Sequence, residues 1–134
     1  MGIGNPVEKN MEKKKILIVE DDAVLQKTLN EYLVSEDFEV SVASDGEEAI
    51  SVISKQDPDL ILLDIILPKK DGYEVIKEVR ANEKLKNVPI ILLTNLGGAF
   101  DVEKALDLGA TTYLVKADYT LEEVVSKIKD TLEM

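Results

Sequence analysis

The hydrophobic positions of this chain fall into two recurring patterns. Three short aliphatic runs, Ile16-Leu-Ile-Val19, Leu60-Ile-Leu-Leu63 and Ile90-Ile-Leu-Leu93, contain no polar residue and stop abruptly at Glu20, Asp64 and Thr94. Such runs fit strands covered on both faces, as in a parallel sheet. Phe38 to Ala43, with Phe38, Val40 and Val42 on one face, predicts another strand, and Thr112-Tyr-Leu-Val115 a shorter fifth. Between the strands, apolar residues recur at helical spacing. Leu25, Leu29, Tyr32 and Leu33 predict a helix over roughly 23–35, and Ala49, Ile50 and Ile53 one from Asp45 to about Lys55. Val75, Ile76 and Val79 mark a third, Val102, Ala105, Leu106 and Gly109 a fourth, and Leu121, Val124, Val125, Ile128 and Leu132 a fifth. Asp45 with Glu48, Asp71 with Glu74 and Thr120 with Glu123 have capping-box spacing, each opening a helix.

Strand followed by helix, five times over, calls for an α/β fold: a parallel sheet with helices on both faces, a three-layer (βα)5 sandwich. Right-handed crossovers leave few topologies, of which the flavodoxin-like strand order 2-1-3-4-5 is one. The sequence predicts one domain over 15–134 after a polar N-terminal tail, 1–14, holding Gly2, Gly4 and Pro6. No second domain is expected, and the lysines at 13–15 read as a solvated lead-in.

Composition narrows the chemistry. The chain has no cysteine and no histidine, which excludes thiolate and zinc–histidine sites, disulfides, a Ser-His-Asp triad and any phosphohistidine of its own. Carboxylates, hydroxyls and lysine remain. Sixteen basic against 27 acidic residues give a net charge of −11, so direct contact with nucleic acid or anionic lipid is not expected. No run reaches the roughly 18 apolar residues of a membrane span. The first residues lack the apolar stretch of a signal peptide, and Pro6 spoils a myristoylation signal, so a cytoplasmic location is the expectation.

Parallel strands all end at one rim, and the residues there are chemically complementary. Glu20-Asp21 follows the first strand, Asp64 the third, Thr94 the fourth and Lys116 the fifth. The first and third strands flank the switch point of such a sheet, where open α/β folds place their ligands. Taken singly, each residue is an ordinary cap, strand residue or surface charge; together they describe a site. Three carboxylates at close range repel, and a hard cation such as Mg2+ would offset that repulsion. Asp64 is then placed to act as a nucleophile toward a phosphoryl group, with Thr94 and Lys116 available to its oxygens.

These residues closely resemble the receiver domain of two-component response regulators. The resemblance covers about residues 15–133. It rests on Ile-Leu-Ile-Val-Glu20-Asp21-Asp22, Asp64-Ile-Ile-Leu-Pro68-Lys-Lys-Asp71-Gly72, Ile-Leu-Leu-Thr94, Gly109-Ala110 and Tyr113-Leu-Val-Lys116. It implies the 2-1-3-4-5 order and a stand-alone phosphoacceptor in a phosphorelay. Asp64 would become an aspartyl phosphate. Glu20, Asp21, Asp64 and the Ile66 backbone carbonyl would hold Mg2+, with Asp22 outside the ligand set. Thr94 would be the switch hydroxyl and Tyr113 the switch aromatic. The expected partners are a sensor histidine kinase or histidine phosphotransfer protein as donor, and a downstream protein target. That target would read the surface of the fourth helix, fifth strand and fifth helix. The resemblance implies no turnover enzyme, only catalysis of the chain's own phosphorylation and dephosphorylation.

Three departures change the expectation locally. Most receivers carry proline after the lysine; here it is Ala117. A cis bond without proline costs roughly 3 kcal/mol, so the Lys116–Ala117 bond is either trans with an altered loop or strained. Asn95 follows Thr94, where a small residue is usual, and would narrow the approach to the site. Ile66 and Leu96 replace the polar groups often found near the phosphate, and cannot orient an attacking water. Slow loss of phosphate from Asp64 is the consequence expected. A phosphorylation-independent adaptor is the alternative, opposed by the intact Asp64, Asp21 and Lys116. A magnesium-dependent phosphatase would need a second carboxylate two residues after the nucleophile, where Ile66 stands. Flavin binding fails because Glu20-Asp21 replaces a phosphate-cradling loop.

Overall fold

The computed structural model describes residues 13–65, 67, 71–94, 99–115 and 119–134, with only the backbone described at 94 and 99–101. The elements are β1 (Lys15–Val19), α1 (Ala23–Ser35), β2 (Glu39–Ala43), α2 (Gly46–Gln56) and β3 (Leu60–Leu63). They continue with α3 (Gly72–Ala81), β4 (Ile90–Thr94), α4 (Ala99–Leu108), β5 (Thr112–Val115) and α5 (Leu121–Thr131). All neighbouring strands pair in parallel, in the order β2-β1-β3-β4-β5. The flavodoxin-like three-layer arrangement read from the sequence is thus the one observed.

Strand alternation sorts the core into two layers. Leu17, Val19, Ile61, Leu63, Ile90 and Leu92 face α2, α3 and α4, packing on Ala49, Ile53, Val75, Ile76, Val79 and Ala105. Ile16, Ile18, Leu60, Leu62, Ile91 and Leu93 face α1 and α5, meeting Leu29, Leu33, Val124, Val125 and Ile128. Every residue of β3 is buried, which is why its four positions tolerate no polar side chain. The edge strand β2 is only half-buried over Val40 and Val42, and alternates accordingly.

Local signals set most boundaries. Asp22, Asp45, Asp71 and Thr120 each accept a backbone N–H from the first turn of the following helix. The reciprocal capping box forms at Thr120 and Glu123. At Asp45 the partner is displaced: Glu48 accepts from the Ser44 N–H instead. α2 stops at Asp57, whose backbone is left-handed at φ 44° just before Pro58. The fourth helix differs from expectation in two respects. Leu106 is 38% exposed, whereas Val102 and Ala105 form the buried stripe. Gly109 lies beyond the helix, in the left-handed region at φ 119°.

Candidate functional site

The strand ladder brings the acidic residues together. The Glu20 N–H donates to the Ala43 carbonyl at 3.0 Å and the Asp64 N–H to the Val19 carbonyl at 3.0 Å. Val19 pairs with both Ala43 and Leu63, so Glu20 and Asp64 leave adjacent strands at the same level. One carboxylate oxygen each from Glu20, Asp21 and Asp64 lies within 4.8 Å of the others. Glu20 is 2% and Asp64 7% exposed, whereas Asp21 faces solvent. Two buried carboxylates and one open one at this range form a hard, oxygen-only donor set with a solvent side. That fits a magnesium ion that keeps several waters.

Neighbouring backbone holds this arrangement. The Asp22 N–H donates to Glu20 Oε2 at 3.1 Å. The Asp22 side chain turns the other way, accepting from the N–H groups of Val24 and Leu25 at 3.0 and 3.1 Å, so it caps α1 and stays out of the cluster. Gln26 Nε2 donates to the Glu20 carbonyl (2.9 Å), the Ala43 carbonyl (3.3 Å) and Ser44 Oγ (3.2 Å). It thereby ties the first turn of α1 to both strand ends. On the other side, the Gly72 N–H donates to the Ile65 carbonyl at 2.8 Å. A methyl group at Gly72 would stand 2.6 Å from Ile65 Cα and 2.8 Å from the Asp64 carbonyl oxygen. The start of α3 therefore lies directly against the backbone carrying Asp64, a contact that only glycine permits.

The backbone of Thr94 is the last residue of β4, paired with Val115, so β4 and β5 end at the same rim. Its side chain lies outside the described residues, as do Ile66, Asn95, Leu96, Lys116 and Ala117. Tyr113, on β5 opposite Leu92, is 41% exposed. Sequence reasoning did not single out Gln26, or the Gly72 contact, because both act through backbone atoms. It also passed over Arg80, the one arginine among sixteen basic residues. A groove of about 460 Å³ opens at the opposite rim, lined by Asp57, Pro58, Asp59, Lys84 and Pro89 among others. It is distant from the carboxylate cluster, and the Asp59 carboxylate there accepts the Lys15 N–H at 2.7 Å.

The pattern of the response regulator receiver domain matches residues 16–129. A probable transcriptional regulator, ycf27, of Guillardia theta is 42% identical over 120 residues, covering 90% of this chain and 46% of that protein. The chain spans about half the length of the curated relatives it matches. A putative response regulator from Chloroflexus aurantiacus superposes with a TM-score of 0.85 at 34% identity, over 92% of this chain and 100% of that one. The beryllofluoride-activated N-terminal receiver domain of RstA from Klebsiella pneumoniae gives 0.83 at 33% identity, over 90% and 100%. The chain belongs to the receiver domains of two-component response regulators, a family of phosphoacceptor switches that typically bind Mg2+ at an acidic pocket. No helix among the described residues is long and apolar enough to cross a membrane.

Proposed function

We propose that Asp64 accepts a phosphoryl group from the phosphohistidine of a sensor kinase or histidine phosphotransfer protein. The observation that carries this is the convergence of Glu20, Asp21 and Asp64 within 4.8 Å at the rim where β4 and β5 also end. A carboxylate oxygen of Asp64 forms the new bond to phosphorus. The phosphorus–nitrogen bond of the donor breaks, and its electron pair leaves with the imidazole, which is neutralised by a proton from solvent. Glu20, Asp21, Asp64 and the Ile66 carbonyl would hold Mg2+, which when bound offsets the negative charge of carboxylates and phosphoryl oxygens. The Lys116 ammonium and the Thr94 hydroxyl each donate to a phosphoryl oxygen, where developing charge needs fixed donors.

The same residues carry the response. Phosphorylation draws the Thr94 hydroxyl toward the site, and Tyr113, now partly exposed, turns inward behind it. This changes the surface of α4, β5 and α5 for a downstream protein. The strongly negative chain does not itself bind nucleic acid. Ile66 and Leu96 are apolar and carry no group that could orient a hydrolytic water, and the aspartyl phosphate is lost slowly. The chain acts on no separate substrate; it promotes only its own phosphorylation and dephosphorylation.

Incubation with magnesium and acetyl phosphate, followed by intact mass measurement, tests the assignment. Wild type gains one phosphoryl group and Asp64→Ala gains none. Equal gain in both proteins would move the acceptor elsewhere. No gain in wild type, with no spectral response to beryllofluoride, would leave the phosphorylation-independent adaptor.

A further inference from the structure

Arg80 lies in the last turn of α3, at the rim opposite the carboxylates. Its guanidinium donates to the Gly109 carbonyl from Nε (2.9 Å) and from Nη2 (2.7 Å). Nη1 donates to the carbonyls of Val88 (2.7 Å), Lys86 (3.1 Å) and Leu85 (3.4 Å). Its stem crosses Gly109 so closely that a methyl group there would stand 2.9 Å from Arg80 Cγ and Nε. Gly109 is the first residue beyond α4, and Val88 leads into β4. Burial pulls the guanidinium below its ordinary pKa, yet an arginine so placed keeps its charge near neutral pH.

The other end of α3 is fixed as well. The Gly72 N–H holds the Ile65 carbonyl, one residue beyond Asp64. Ten residues of helix, about 15 Å, therefore join the backbone of the acidic site to the far end of α4. The start of α4 has a different attachment. It follows β4, whose last residue, Thr94, ends at the site's own rim.

We infer that Arg80 is a positioning residue that makes the C-terminal end of α4 the fixed point about which this helix swings when the site is phosphorylated. This rests on the phosphoacceptor reading above. A displacement imposed at the Thr94 end dies away toward Gly109, because moving Gly109 would break two charge-assisted bonds that the loop carbonyls cannot replace. The use of arginine is specific. The other fifteen basic residues are lysines, and a lysine head is a single point that cannot span Gly109 and the 85–88 carbonyls together. The output surface accordingly changes by tilt, with its α3 side held still.

Amide hydrogen exchange on the full chain, with and without magnesium plus beryllofluoride, tests this. In ligand-free protein, Arg80→Lys raises exchange at Val88 and Ala110 by about tenfold and leaves Glu20 and Asp64 within about twofold. On adding beryllofluoride, the wild type changes exchange in the first half of α4 and not at Gly109 or Ala110, while Arg80→Lys carries the change through Ala110. Gly109→Ala, which displaces the Arg80 stem, reproduces the spread. A wild-type change that reaches Ala110 as strongly as the start of α4 overturns the fixed point, and does so even where Arg80→Lys is too unstable to read. So does an Arg80→Lys response distributed as in wild type. If Asp64 takes phosphate in the mass assay but α4 shifts evenly, this inference falls and the phosphoacceptor reading stands. If neither phosphate nor beryllofluoride is taken up, both fall.

Discussion

The two rims of the sheet handle charge in opposite ways. Where the strands end, three carboxylates are gathered within 4.8 Å, two of them buried, at a cost in mutual repulsion. Where the strands begin, a single guanidinium is surrounded by carbonyl oxygens from two chain segments and binds them all. The entry rim thus sets one cation among carbonyl oxygens, and the exit rim gathers like charges that a bound cation would offset. Stability and reactivity are placed at opposite ends of the same strands, and α3 joins them.

Removing a charge at each rim should therefore move stability in opposite directions. The largest effect is expected at the contact between α3 and the site. Gly72→Ala forces a methyl group against three backbone atoms at 2.6–2.9 Å, none of which can give way cheaply. A loss of about 3 kcal/mol or more is expected in denaturant unfolding. At the entry rim, Arg80→Ala should cost about 2–3 kcal/mol, since the Gly109 and Val88 carbonyls lose charge-assisted donors while partly buried. Arg80→Lys should recover less than half of that.

At the exit rim the sign reverses. Asp64→Asn removes one of three clustered charges, and in magnesium-free buffer it should stabilise the chain by about 1–2 kcal/mol. Magnesium should raise the unfolding midpoint of wild type and do so much less for Asp64→Asn, because an ion bound only by the folded state stabilises it by mass action. A destabilised Asp64→Asn would mean that the cluster is already neutralised within the protein, and the contrast between the rims would fail. The smallest effect is expected in the first turn of α3, where the Lys104 ammonium sits 4.3 Å from the centroid of the Tyr73 ring. Lys104→Ala should cost about 0.5 kcal/mol, and thermal melts of the single and double variants would isolate that coupling.

The features legible in the sequence are those governed by short-range rules. Runs such as Leu60–Leu63 announce a doubly covered strand, and Asp71 and Thr120 announce helix starts, because strand alternation and cap bonds act within a few residues. The spacing placed Leu106 on α4 correctly, yet its side chain is 38% exposed. Spacing says which residues share a helix face, but the width of the buried stripe depends on how much sheet lies beneath it. Asp22 stands in an acidic triplet with Glu20 and Asp21, yet its carboxylate caps α1. The family resemblance had set Asp22 outside the ligand set, and the turn geometry supplies the physical reason.

Alone, the sequence determined the alternation of strands and helices, the two-sided burial of β1, β3 and β4, and the identity of the acidic residues at the strand ends. Tertiary structure decided that Glu20, Asp21 and Asp64 share one pocket, because that needs parallel pairing between segments more than forty residues apart. It also decided what Arg80 does. Its partners are carbonyl oxygens that every residue possesses, so no pattern of side chains could have named them before the chain was folded.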